Sequence, residues 1–272
     1  MTIQRFPLAS LQKVRQIITS SLLLPETEDS PESIASLDDI DQTPEPESLD
    51  DLSGFFQSAS ASIQEEENYG PNVEGRWFVS TLNPGAALIR LPGVRVKRDW
   101  RLVTYLYRVP GDGVGITWAV PEALSTTAQL ESVLESSGDR QHPPQPKGAL
   151  PDFMEALEGD RSPASFLVAS IFRREIQELG STGKSKEWAN HRLIDTLPPQ
   201  AQWQWTGDPI ADLSPKVRIL PDGKAAVEFF SCRLVPPVAI YRHIDQYSAT
   251  QYRSLSRDSV VAKPIQGVKR QS

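Results

Sequence analysis

Apolar residues near the start of the chain recur every three or four positions, which is the spacing of one face of a helix. Pro7 suits the first turn of such a helix, and Pro25 ends it. A helix of about 18 residues is only marginally stable in water, so we expect other groups to bury its apolar face. The residues of this face are Leu8, Leu11, Val14, Ile18 and Leu22.

Three surfaces would bury this helix: the protein's own body, a groove on a partner protein, or a membrane. Its cations are Lys13 and Arg15, which are few for a helix that binds lipid, so membrane contact is disfavoured. The other two alternatives stay open. Our functional prediction uses the partner groove, and it gives a partner-binding role to Leu11, Val14, Ile18 and Leu22.

Alternating side chains predict two hairpins in the rest of the chain. Residues 100–109 carry packing groups on both faces, and the turn residues 110–113 connect them to a second apolar stretch. Residues 216–233 contain a Pro-Asp-Gly-Lys turn between two more apolar stretches. Both patterns indicate antiparallel strands.

A helix is predicted between these hairpins, over residues 163–179, with Ser162 as its cap and Gly180 as its end. The order strand, helix, strand predicts the α+β class. We expect a single globular domain with a mostly antiparallel sheet and a few packed helices, preceded by a disordered acidic arm. The predicted segments are a short amphipathic N-terminal helix (1–25), an acidic disordered linker (26–70), the α+β domain (71–250) and a basic flexible tail (251–272).

Charge divides the chain into an acidic beginning and a mildly basic remainder. Residues 16–75 contain no Lys or Arg but 15 Asp and Glu, whereas residues 76–272 have a net charge of +5. The acidic part is rich in Pro, Glu, Ser and Asp, a composition that buries too little apolar surface to offset the entropy of ordering. Its few large apolar residues stand beside acidic ones and suggest a docking motif or an inert spacer; we assign partner binding to Leu52, Phe55 and Phe56.

Cations and aromatic residues also cluster at the start of the first predicted hairpin. Such a surface binds the phosphates and bases of single-stranded nucleic acid, or an acidic protein segment, including this protein's own acidic arm. The residues of this basic aromatic surface are Arg95, Lys97, Arg98, Trp100, Arg101, Tyr105 and Arg108.

Candidate catalytic and metal-binding residues are sparse. A single cysteine, Cys232, excludes an internal disulfide and a zinc site built on several cysteines. The three histidines are 49 and 52 residues apart, without the spacing of paired metal ligands. Tyr241, His243 and Asp245 alternate on the polar face of a predicted strand, where surface hydrogen bonding is favoured over catalysis. We therefore predict no catalytic residues, metal or cofactor.

These observations favour a non-catalytic adaptor, assembly or regulatory protein that acts through protein–protein interaction. The alternative is a nucleic-acid-associated regulator, transcriptional or RNA-related, that uses the basic aromatic surface. The chain has no apolar run of about 18 residues, so no transmembrane segment is expected. With its single cysteine and no secretory pattern, we expect a soluble, cytoplasmic protein.

Overall fold

A computed structural model describes residues 2–29 and 74–265 of the chain. The predictions for Leu52, Phe55 and Phe56, and for most of the acidic arm, lie outside the described residues. The helices are α1 (Leu8–Ser21), α2 (Glu26–Asp29), α3 (Ala86–Ile89), α4 (Thr127–Glu131) and α5 (Pro163–Gln177). The strands are β1 (Thr2–Arg5), β2 (Trp77–Val79), β3 (Val94–Val96), β4 (Trp100–Val109), β5 (Asp112–Pro121), β6 (Leu157–Gly159), β7 (His191–Ile194), β8 (Trp203–Trp205), β9 (Lys216–Ile219), β10 (Ala225–Arg233), β11 (Ala239–Tyr247) and β12 (Ser254–Pro264).

The largest sheet has seven strands in the order β1-β9-β10-β11-β12-β8, with β7 paired to the second half of β10. A three-stranded sheet has the order β2-β4-β5, and β3 pairs with β6. All of these pairs are antiparallel. The α+β class with mostly antiparallel sheets, predicted from the sequence, is confirmed.

Helix α5 lies at the centre of the core. The Ser162 hydroxyl accepts a hydrogen bond from the amide of Ser165, and Pro163 occupies the first turn, so the predicted start is confirmed. Its apolar side chains pack against strands of the large sheet and against β5. Phe166, Ala169 and Phe172 are completely buried.

The structure corrects the prediction of a flexible C-terminal tail. Ser254–Pro264 forms β12, which pairs with β11 on one side and with β8 on the other. The prediction of a flexible segment from residue 251 is therefore wrong for this strand. The folded body extends to the end of β12 and includes β1 at the edge of the same sheet.

The β4–β5 hairpin, predicted from its turn, packs closely on the end of α5. At Gly115 in β5, an added Cβ would lie 2.1 Å from the carbonyl oxygen of Leu179. Only glycine fits such an approach. Among the residues that the structure describes, no helix is both long and apolar enough to cross a membrane.

Candidate functional site

Two residues of the predicted basic aromatic surface are buried on opposite faces of β4, because both faces of this strand are covered. Tyr105 and Arg108 both point inward, with exposed fractions of 0 % and 1 %. The Tyr105 hydroxyl donates a 3.0 Å hydrogen bond to the carbonyl oxygen of Leu130. These two residues are part of the interior, so their assignment to a binding surface is wrong.

The other five residues of the prediction stay near the surface. Arg98 is exposed, and Lys97 donates a 2.7 Å hydrogen bond from Nζ to the carbonyl oxygen of Glu155. Arg95, Trp100 and Arg101 line one cleft of about 250 Å³. The structure therefore brings part of the predicted set together, at the start of β4.

An exposed isoleucine stands beside that cleft. Ile89, the last residue of α3, is 84 % exposed, whereas its neighbour Leu88 is buried. A second cleft, of about 520 Å³, lies against the same helix and shares Leu88, Ile89 and Arg95 with the first. We call α3 with these two clefts the α3 ridge.

Arg95 and Arg101 line the α3 ridge, and Arg90 directly follows α3. Arg90, Arg95, Arg98 and Arg101 are all exposed. Arg95 forms a 2.8 Å ion pair with Glu158, but both side chains are largely open to water, so the pair contributes little stability and exchanges readily. The ridge thus combines an apolar centre with a charged rim: Arg95 and Arg101 line the smaller cleft, and Glu158 and Asp160 line the larger one.

The apolar stripe of α1 is buried against the protein's own body, the first of the alternatives left open by the sequence. Leu11 and Ile18 are completely buried, Leu22 is buried, and Val14 packs against the same core. These side chains contact the core that α5 organises. The partner-binding role predicted for them is therefore replaced by a structural one.

Arg15 fixes α1 to the body from its polar side. Its Nε lies 2.7 Å from Oε1 of Glu175, and its guanidinium donates hydrogen bonds to the carbonyl oxygens of Trp188 and His191. The guanidinium carbon is 4.7 Å from the centre of the Trp188 ring. Because these contacts join α1 to α5 and β7, the helix is an integral part of the fold.

Both ends of the acidic stretch are held at one buried arginine. Nε of Arg108 donates a 3.0 Å hydrogen bond to the carbonyl oxygen of Glu28, and the amide of Gly75 donates a 2.8 Å hydrogen bond to the carbonyl oxygen of Arg108. The Glu28 carboxylate also accepts hydrogen bonds from Ser80 and Thr81. Glu28 and Gly75, on either side of residues 30–73, therefore contact the same residue of one folded body.

The predicted surface trio of Tyr241, His243 and Asp245 points into the protein instead. Asp245 is completely buried and accepts two hydrogen bonds, of 2.6 and 3.0 Å, from the guanidinium of Arg174. His243 is 1 % exposed, and Tyr241 is partly buried. The expectation of surface hydrogen bonding is wrong for His243 and Asp245, because α5 covers this face of β11.

A continuous polar chain passes through His243. Its Nε2 is 2.7 Å from the Ser231 hydroxyl, and that hydroxyl is 2.8 Å from Nδ1 of His191. On the other side, Nδ1 of His243 is 2.8 Å from Oδ1 of Asp258, although the N–H direction is not aligned for a hydrogen bond. Arg174 donates a 2.9 Å hydrogen bond to the same oxygen.

Burial and neighbouring charges determine the protonation states of His191, His243 and Asp258. Burial, reinforced by His243 and Arg233, lowers the pKa of His191 to about 4. Burial also lowers the pKa of His243 despite the nearby carboxylate of Asp258. Burial raises the pKa of Asp258, but contacts with His243 and Arg174 outweigh it and hold this pKa below its usual value. Both imidazoles are consequently neutral at pH 7, and Asp258 is ionised.

The polar chain opens into a cleft of about 420 Å³ at the C-terminal end of α5. Asp258, whose side chain is 48 % exposed, forms part of its wall. The lining also includes Glu178, Glu187, Trp188, His191 and Tyr241.

The sequence did not predict the residues that contact His243 and Asp245 in the buried polar series. Arg174 lies on the apolar helix α5, Ser231 lies on β10, and Asp258 lies in the segment predicted as a tail. His191 begins β7. One feature of the sequence could have indicated these contacts: Arg174 stands in a strongly apolar helix. A charged side chain that is buried requires partners.

The described residues contain no group of three or more His, Cys, Asp or Glu side chains arranged to hold a metal ion. Cys232 is a buried free thiol whose pKa is raised by burial, so it is poorly suited to nucleophilic chemistry. Comparison of the chain with protein-family models, with curated proteins and with solved structures found no match.

Proposed function

We propose that this protein is a non-catalytic adaptor or regulatory protein that binds a partner protein at the α3 ridge. The observation that carries the proposal is Ile89, an isoleucine 84 % exposed between two clefts. Large apolar side chains at the centre of a polar rim are typical of the energetic centre of a protein interface.

The chemistry of the ridge indicates the character of the partner. Leu88, Trp100 and Leu102 give the smaller cleft apolar walls, and Arg95 and Arg101 also line it, whereas Glu158 and Asp160 line the larger cleft. A matching segment would place apolar side chains around Ile89 and carboxylates near the arginines. The partner is therefore expected to present an acidic segment with apolar residues.

The buried polar chain supports a binding protein over a hydrolase. Ser231 and His243 have the contact of a nucleophile with its base, but the Ser231 side chain is completely buried. Its hydroxyl also contacts a second imidazole, that of His191. A substrate would have no access to this oxygen, so a structural role explains these contacts better.

The nucleic-acid alternative has less support than the sequence suggested. Of the seven residues in the basic aromatic surface, Tyr105 and Arg108 are buried, and Nζ of Lys97 donates a hydrogen bond to the carbonyl oxygen of Glu155. A direct test is the binding of fluorescent single-stranded DNA and RNA at low salt, where phosphate contacts are strongest. Tight binding there, weakened by reversing Arg98 and Arg101, would favour this alternative.

A matched pair of variants tests the proposed interface. Ile89→Asp places a charge at the centre of the ridge, and Leu255→Asp makes the same change at a comparably exposed leucine on β12, which is 73 % exposed. Both positions are open to solvent, so each variant is expected to fold with a stability within about 0.5 kcal/mol of the original chain. The measurement is partner recovery on the tagged full chain, with thermal unfolding as the check on folding.

The proposal predicts that one partner is lost from the Ile89 variant and retained by the Leu255 variant. The charge-reversed pair Arg95→Glu and Arg101→Glu should also lose that partner. Equal recovery of every partner by both aspartate variants would contradict the proposal.

A further inference from the structure

The cleft at the C-terminal end of α5 is separate from the α3 ridge. Helix α5 spans about 22 Å; the ridge cleft that includes Asp160 lies near its start, and the polar cleft that includes Glu178 lies at its end. His191 is 8 % exposed, lines the polar cleft at the end of α5, and uses only Nδ1 for hydrogen bonding to the described residues. Its Nε2 is an unused polar atom on a buried side chain.

The protonation of His243 follows from its neighbours. Nδ1 is 2.8 Å from a carboxylate oxygen of Asp258, a distance at which two unprotonated acceptors would repel each other. The single proton of the neutral imidazole is therefore on Nδ1. This leaves Nε2 of His243 as an acceptor, and the Ser231 hydroxyl, 2.7 Å away, donates to it.

The orientation of Ser231 then fixes His191. A hydroxyl has one proton to donate, and that proton is already directed to His243. The Ser231 oxygen consequently accepts the hydrogen bond from Nδ1–H of His191, at 2.8 Å. A neutral imidazole protonated on Nδ1 has its lone pair on Nε2, so His191 presents an acceptor to the cleft.

A second open acceptor belongs to a residue that lines the same cleft, Asp258. Oδ1 of Asp258 receives the contacts from His243 and Arg174, while Oδ2 accepts no hydrogen bond from the described residues. Arg174 also lines the cleft; its two terminal nitrogens bond to Asp245 and Asp258, and its buried Nε has no partner among the described residues. The indole N–H of Trp188 donates to Glu175. Three carboxylates, those of Glu178, Glu187 and Asp258, and one guanidinium, that of Arg174, line the cleft, so its lining carries a net negative charge that favours a cation.

We propose that this cleft binds the ammonium group of an alkylamine, with Nε2 of His191 and Oδ2 of Asp258 accepting its hydrogen bonds. An ammonium carries three N–H donors and no acceptor, which matches the two open atoms. A volume of about 420 Å³ is within the range of small-ligand sites and admits the alkyl chain. The amine is either a free small molecule or a lysine side chain of a protein.

Nitrogen NMR of the full chain with labelled histidines tests this site, because the three histidines report separately. At pH 7, the His191 Nε2 signal should be that of an unprotonated nitrogen. It should shift on titration with n-butylammonium and stay unchanged with butyrate. His142, whose side chain is 76 % exposed, reports non-specific effects and should not respond to either probe.

Two variants distinguish amine binding in the cleft from non-specific attraction to the charge of the protein. Asp258→Asn should weaken n-butylammonium binding roughly tenfold or more, the scale of a lost hydrogen bond to a charged group. Asp222→Asn removes a carboxylate of similar exposure, 51 %, at a distant hairpin turn and should leave binding unchanged. Tighter binding of Nα-acetyl-lysine amide than of n-butylammonium would identify a lysine side chain as the source; the reverse would identify a small amine.

Three results would overturn the proposal: a protonated Nε2 in the free chain, a response to butyrate instead of n-butylammonium, or equal responses of His142 and His191. Because these readouts come from the original chain, they hold even where a variant fails to fold. They also do not involve Ile89, so the proposals for the α3 ridge and for this cleft are tested separately.

Discussion

At the scale of single residues, polar side chains in the interior depend on partners from distant parts of the sequence. Arg108 bonds to residues near both ends of the acidic stretch, and Arg174 joins α5 to β11 and β12. The sequence predicted Arg108, His243 and Asp245 at the surface. Charge and polarity indicate the surface on average, but the direction of a strand side chain depends on what covers each face.

Replacing Arg108 by methionine should destabilise the protein by about 2–4 kcal/mol, because the buried carbonyl oxygens of Glu28 and Gly180 lose their donor. The measurement is the urea midpoint of unfolding. Arg98→Met is the matched control at an exposed arginine and should change stability by less than about 0.5 kcal/mol. A similar loss in both variants would contradict the anchoring role of Arg108.

His191 should make the protein less stable as the pH falls from about 6.5 to about 4. In that range the unfolded chain binds a proton at His191 while the folded protein, with its pKa of about 4, does not. The full effect is roughly 3 kcal/mol. His243 acts in the same direction, and the raised pKa values of Glu175 and Glu178, both caused mainly by burial, act in the opposite one.

The measurement is therefore a difference between variants in urea unfolding at pH 7 and pH 5. His191→Phe keeps an aromatic ring against Trp188 and should show a smaller loss of stability on acidification than the original chain. His142→Phe, at an exposed histidine, should behave like the original chain. An unchanged pH dependence in His191→Phe would contradict the proposed titration.

At the scale of elements, the sequence correctly predicted those helices and turns that are determined by residues close together in the chain. The cap and period of α5 and the turn of the β4–β5 hairpin are local, and both elements form as expected. The tail was missed because β12 alternates only weakly, with exposed polar residues over much of its length. Its stability depends on pairing with β11 and β8, which no local pattern shows.

The contact between β5 and the end of α5 gives a sharp test of packing. Gly115→Ala should destabilise the protein by about 3 kcal/mol or more, because the new methyl group would overlap the backbone oxygen of Leu179. Gly138→Ala is the control, since no atom lies within 4 Å of its added Cβ. Thermal unfolding of the two variants distinguishes them, and an alanine tolerated at residue 115 would contradict this packing.

At the scale of the whole molecule, the residues on both sides of the acidic stretch belong to one folded body rather than to two. Glu28 and Gly75 both bond to Arg108, and α1 is buried in the common core. Composition alone predicts a tether but not where its ends lie. That information is in the contacts of Glu28 and Gly75 with Arg108.

A protease site introduced after residue 49 tests this arrangement. After cleavage, the N-terminal fragment should stay bound to the rest of the protein in native buffer, because Leu11, Arg15 and Ile18 remain in their contacts. The two fragments should separate in concentrated urea. Size-exclusion chromatography provides the measurement, and release of the fragment in native buffer would contradict an integral α1.

The functional claim concerns one surface, the α3 ridge with Ile89 at its centre. A photoreactive benzoylphenylalanine placed at residue 89 or, as a control, at residue 255 reports directly what touches each position in the full chain. We expect one dominant protein crosslink from residue 89, lost when Arg95 and Arg101 are reversed to glutamate, and none of that product from residue 255. The same crosslinks from both positions, or none from residue 89, would contradict it.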